Sequence, residues 1–170
     1  MPVPVHLPAA LLHVVAAEAR AAFPAECCGW LVGDRADAAL AAHAVRACRN
    51  AQLDGGAGAD HPTAPERGAD TAYVIAGDDL LAFARGFDAA TPPVVIYHSH
   101  PNGRAYFSAT DRAVALSPWG DGPAYPVQHL VVGVSASAGG PPVVTEMALF
   151  AWSDQHADFV ELARWAGIEP

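Results

Sequence analysis

The sequence predicts a mixed α/β chain of the α+β kind, in which helices pack on a mixed sheet, and the order of its segments predicts it. An apolar stretch at helical spacing opens the chain, and short apolar runs bounded by glycine or proline recur along it. The segments follow as helix, two strands, strand and helix, strand and helix, two strands, and a last helix, with few crossovers. At 170 residues, 1–170 read as a single domain, and 52% hydrophobic against 16% charged residues can build a core.

The first helix runs from Pro8 to Phe23, with Leu11, Leu12, Val15, Ala19 and Ala22 on one face, Pro8 suited to a first turn and Pro24 closing the far end. "CCGWLVG", Cys27 to Gly33, and Ala41 to Cys48 read as neighbouring strands. Residues 51–70, "AQLDGGAGADHPTAPERGAD", have almost no large apolar side chain to offset their ordering entropy and read as a flexible surface loop. Tyr73 to Ile75 reads as a short strand. Asp78 or Asp79 is expected to cap a helix whose Leu80, Leu81, Phe83, Ala84 and Phe87 form one face. Val94 to Tyr97 reads as a buried strand, and Ser108 opens a helix toward Leu116 that stops near Pro118. "VQHLVVGVS" and "PPVVTEMALFAW" read as two further strands, and Asp154 to Trp165 as the last helix.

Composition excludes several functions. The apolar runs break well before the roughly 18 residues that a membrane span needs. The first twenty residues lack a basic leader and are interrupted by His13, Glu18 and Arg20, so they do not read as a secretory signal and the expectation is a cytoplasmic protein. Cys27, Cys28 and Cys48 have no framework spacing and are expected to be reduced. A net charge of −9 without a Lys/Arg cluster disfavours nucleic acid as a partner.

The chemistry concentrates in "VVIYHSHPNGRAYFSATD", Val94 to Asp111. Side chains at i and i+2 of a strand share a face, so His98 and His100 point one way and Ser99 the other. Alone, a His-x-His pair at a strand end more often marks hydrogen-bonded surface groups. Imidazoles also suit zinc, whose catalytic sites use three protein ligands and leave a position for water. Asp111 is the candidate third ligand, since Pro101 to Gly103 turn the chain back. Ser108 and Asp111 equally fit a helix cap followed three residues later by an acid, and the two roles are compatible. Glu26 stands immediately before an apolar strand, where a buried carboxylate needs a partner. It reads either as a solvated helix-end acid or, should its strand neighbour the histidines, as a base facing the metal site.

These residues resemble the JAMM, or MPN-plus, zinc metalloproteases, whose signature is a distant glutamate followed by His-x-His-Pro, six residues, Ser, two residues and Asp. The chain has "HSHP" at 98–101, "NGRAYF", Ser108, "AT" and Asp111, and "ECCGWLVG" and "AYVIAGDDLLAF" are similar to segments of the small prokaryotic members, so the resemblance runs from about Leu7 to Trp152. It implies a cytidine-deaminase-like mixed sheet flanked by helices, with His98, His100 and Asp111 binding Zn2+, Glu26 as general base and acid, and Ser108 helping to hold an oxyanion. It further implies cleavage of a peptide or isopeptide bond after the C-terminal tail of a ubiquitin-like protein, of the sulfur-carrier type. Arg104, Tyr106 and Phe107 are candidate contacts for that tail. The chain departs from the pattern at Val95, at Phe107 and in the length of the 51–70 loop, and no departure removes a ligand.

Rival readings are a cysteine hydrolase using Cys27 or Cys28, a zinc deaminase, whose H-x-E and P-C-x-x-C segments are absent, and a non-catalytic binding scaffold. His6, His13, His43, His61, His129 and His156 lack comparable spacing and are taken as surface or core polar groups.

Overall fold

A computed structural model describes residues 1–34, 40–54, 68–69 and 71–167. Its elements are α1 (Ala9–Ala22), β1 (Cys28–Asp34), β2 (Ala41–Cys48), a 3-10 turn (Ala51–Asp54), α2 (Gly77–Gly86), β3 (Pro93–His100), α3 (Ala109–Ala115), β4 (Gln128–Ser137), β5 (Gly140–Ser153) and β6 (Asp158–Ala166). The strands form one mixed sheet in the order β2-β1-β3-β4-β5-β6. Among the described strands only β3 and β4 pair with each other in parallel, and the connection between them carries α3, as a parallel crossover requires.

Alternation along β3 assigns the two faces. Val95 and Tyr97 join the larger core, where Val15, Ala16 and Ala19 of α1 meet Leu31, Leu130, Val132, Met147 and Leu149. Ile96, His98 and His100 point to the opposite face, where Trp30, Phe83, Ile96 and Val127 form one cluster and Phe107, Val131, Ala148, Phe150 and Phe159 another. Every residue of β3 is buried, so the strand carries one core on each side.

The final segment corrects the expectation of a helix over 154–165: β6 pairs antiparallel with β5. The register explains the misleading pattern. Consecutive Leu149 and Phe150 face Ala163 and Glu161, leaving Leu162 as an extra residue in a bulge. Phe159 therefore joins the Phe107 cluster, whereas Ala163 and Trp165 pack against the α1 core. The bulge breaks the period of two that marks a strand in sequence.

Two smaller expectations also change. Tyr73 to Ile75 is extended but is not a strand; Val74 instead bonds through its N–H to Asn50 Oδ1 (3.0 Å) and through its carbonyl to the Ala51 N–H (2.9 Å). Asp78 and Asp79 lie in the first turn of α2 without capping it. Of the expected apolar face, Phe83 is buried, while Leu80 and Leu81 are exposed. The loop expected at 51–70 begins as the 3-10 turn, and its residues 55–67 and 70 lie outside the described ones.

Candidate metal centre

β3 delivers His98 and His100 to the same face, with their Nε2 atoms 3.1 Å apart. Asp111, in the first turn of α3, places Oδ1 3.1 Å from His98 Nε2 and Oδ2 3.4 Å from His100 Nε2. All three residues are buried. Four-coordinate zinc with bonds of about 2.0–2.1 Å has donor-to-donor edges of about 3.3–3.4 Å, so the donor set fits such an ion in both chemistry and spacing.

The supports differ for each ligand. His100 Nδ1 lies 3.3 Å from the Arg104 carbonyl oxygen, so Nδ1 carries a proton, and Nε2 faces Asp111 and His98. The His98 Nδ1 has no hydrogen-bond partner among the described residues, and the ring is held by stacking on Tyr73, with centroids 4.5 Å apart at 19°. Asp111 belongs to a capping box. The Ser108 Oγ accepts from the Asp111 N–H (3.1 Å), and the Ser108 N–H donates to Asp111 Oδ2 (2.7 Å). The capping role, open from sequence, is thus present, and it falls on the carboxylate that faces the two imidazoles.

The charges of these groups are coupled. Burial would raise the Asp111 carboxyl, but the two imidazoles hold it well below the usual carboxylate range. His98 is lowered, because its burial outweighs the pull of Asp111. His100 is raised, since hydrogen bonding and attraction from Asp111 overcome its burial. Neutral His98 and ionised Asp111 are the forms that coordinate a metal.

A pocket of about 480 Å³ opens on this group, lined by Glu26, His100, Ser108 and Asp111 together with Tyr73 and Tyr106. Glu26 is buried at the start of β1, whose Cys28 stands opposite His98 in the sheet. Glu26, His100, Ser108 and Asp111 thus share one pocket, and His98 adjoins His100 and Asp111. Ser99 turns away from it and fixes the neighbouring strand, its Oγ accepting from the Cys27 N–H at 2.9 Å.

Sequence reasoning missed the Asn50 hub. Its Nδ2 donates to the Glu26 and Ala72 carbonyls (3.0 Å each), and its Oδ1 accepts from Gln52 and Val74 (3.0 Å each), so one side chain ties the Glu26 segment to a pocket wall. An asparagine just after a strand gives no sequence signal for that role. Gly103 was legible only as a turn. Its positive φ of 78° and the close press of its backbone on Gly133 of β4 fold the post-ligand turn flat against the sheet.

Of the candidate tail contacts, Tyr106 is exposed at the pocket, with its ring 5.0 Å from that of His100, and Arg104 lies over Tyr106. Phe107 is instead a core residue, packed between Phe150 and Phe159, and offers no surface for a tail. Burial pushes the Cys27 and Cys48 thiols up to about 12 and raises that of Cys28 as well, against the thiolate that a cysteine hydrolase uses. His129 is buried against Phe107 and Phe159 and His43 pairs with Asp34, while His61 lies outside the described residues. Among the described residues, no helix is long and apolar enough to cross a membrane.

Comparison with known proteins gives the same picture. The family described as prokaryotic homologs of the JAB domain matches residues 8–152. The solution structure of a protein from Desulfitobacterium hafniense is similar at 22% identity and a TM-score of 0.56, covering 90% of this chain and 86% of that one. One from Salinibacter ruber is similar at 23% identity and a TM-score of 0.54, covering 94% and 89%. At such identities the likeness concerns the fold alone. No curated protein matches the chain. The family match runs through every element that brings Glu26 to the two histidines and Asp111, and the chain belongs to the prokaryotic homologs of the JAB domain.

Proposed function

We propose that the protein is a zinc-dependent metallopeptidase that hydrolyses a peptide or isopeptide bond after the C-terminal tail of a ubiquitin-like protein of the sulfur-carrier type. The observation that carries the reading is the convergence of His98, His100 and Asp111, the last two lining a pocket that Glu26 and Ser108 also line. His98, His100 and Asp111 would hold the ion, because two imidazoles and a carboxylate suit zinc and leave a fourth position open. An ion held there would polarise a carbonyl and lower the pKa of a water to about 7.

The chain's own groups do the rest. Glu26 takes the proton of the attacking water at its carboxylate and hands it to the leaving amine. The Ser108 Oγ already accepts from the Asp111 N–H, so its own hydrogen remains to donate toward the oxygen on which negative charge develops. A mostly apolar groove of about 1210 Å³ shares Tyr73 and Val114 with the metal pocket and gives an extended tail a path beyond it.

The test is to incubate the zinc-loaded protein with C-terminally extended ubiquitin-like carriers and locate the cut by mass spectrometry. Cleavage directly after the carrier's tail, abolished by chelation and insensitive to thiol reagents, is expected. A purified protein that takes up no zinc and cuts nothing would support the binding-scaffold reading instead.

A further inference from the structure

The peptide joining Arg104 to Ala105 is one rigid plane with a polar group at each end. Its carbonyl oxygen receives His100 Nδ1 at 3.3 Å, and its N–H donates to Glu146 Oε1 at 2.7 Å. Glu146 is fixed in turn by Arg164, whose Nη1 lies 2.7 Å from Glu146 Oε2 and whose Nη2 donates to the Ala105 carbonyl at 2.9 Å. A carboxylate pulling on the N–H polarises the amide and makes its oxygen a better acceptor. Glu146 lies on β5 and Arg164 on β6, both remote in sequence from the ligands, and Arg164 follows the last residue of the family match.

We propose that Glu146 and Arg164 are positioning residues for the metal centre: they clamp the 104–105 peptide so that its oxygen holds the His100 proton on Nδ1 and keeps Nε2 turned to the ion. The inference rests on the reading of His98, His100 and Asp111 as ligands. The direction of the clamp agrees with the charges, since the Ala105 N–H and then Arg164 hold the Glu146 carboxyl below its ordinary range. A merely structural ion pair would stabilise the sheet edge and leave the imidazole indifferent.

The experiment compares Glu146→Ala, Glu146→Gln and Glu161→Ala by zinc titration and by nitrogen NMR of the imidazoles in the metal-free protein, above the pH at which His100 is neutral. Glu161 binds the outer side of Arg164 without touching the 104–105 peptide, and so serves as control. Loss of such a support typically costs 10–100-fold in metal affinity, and Glu146→Ala is expected to lose about tenfold and to show a mixture of His100 tautomers. Glu146→Gln, which keeps an acceptor, recovers most of the affinity, and Glu161→Ala keeps all of it. Should Glu146→Ala not fold, Arg164→Lys, which keeps the charge but loses the fork to Ala105, is read in the same way. A folded Glu146→Ala with wild-type affinity and a single Nδ1–H tautomer overturns the proposal. A wild-type chain that takes up no zinc sinks the metallopeptidase reading, while the tautomer comparison still decides the role of Glu146.

Discussion

The two faces of β3 obey different rules. Val95 and Tyr97 look into a mostly apolar core, in which the Tyr97 hydroxyl donates to Glu18 on α1 and the Val5 N–H to buried Gln128. One residue along, Ile96, His98 and His100 look into a face where imidazoles and a carboxylate are set between aromatic clusters. A period of two lets a single buried strand serve stability with one set of side chains and chemistry with the other. Changes on the α1 face should therefore alter the folding equilibrium and spare the site, and changes at the site residues of the opposite face should act first on the chemistry.

The largest expected effects lie at the site. Asp111→Ala should abolish zinc uptake. Glu26→Gln should keep the ion and lose about 10²–10⁴ in rate, the usual share of a general acid–base group. Metal analysis beside kinetics separates the two, and a Glu26→Gln protein at wild-type rate would remove Glu26 from the mechanism. Ser108→Ala should lower kcat by about 10²–10³ as an oxyanion donor. As a helix cap it should also cost about 1 kcal/mol of stability. A stability loss without a rate loss would leave Ser108 with only the second role.

On the α1 face, fully buried Leu31→Ala should cost about 2–5 kcal/mol in urea unfolding, with zinc affinity per folded molecule unchanged. Equal damage to metal binding would show that the faces are not independent. The smallest effect concerns His129, buried on the site's face of the sheet between Phe107 and Phe159. Burial, and then the nearby His98, lower its pKa from 6.5 to about 3. Its contribution to stability is thus fully present above pH 6.5 and is lost as pH falls toward about 3, at up to about 1.4 kcal/mol per pH unit. His98 adds to the slope with the same sign. His129→Leu should remove one proton's worth of it, measured as the urea midpoint across that window, and an unaltered slope would place the acid sensitivity elsewhere.

The site was more legible in the sequence than the edge of the sheet. His98, His100, Ser108 and Asp111 lie on one contiguous strand, turn and helix, where local periodicity fixes direction, and Glu26 was exposed by its position before an apolar strand. What sequence could not show depends on partners far along the chain. β6 looked helical because the bulge at Leu162 scrambles its alternation and because only β5 makes it a strand. Asn50, Glu146 and Arg164 act through contacts 18 to 59 residues away in sequence, and no local pattern records such distances.

The capping box on Asp111 joins two thresholds that other chains keep apart. The same carboxylate starts a short helix and completes the ion's cradle, so the cradle closes only as that first turn winds. The Glu26 carboxylate comes from a different part of the chain, ahead of β1, and depends on the pairing of β1 with β3. The pocket is therefore complete only when a local turn and a long-range strand pairing have both formed.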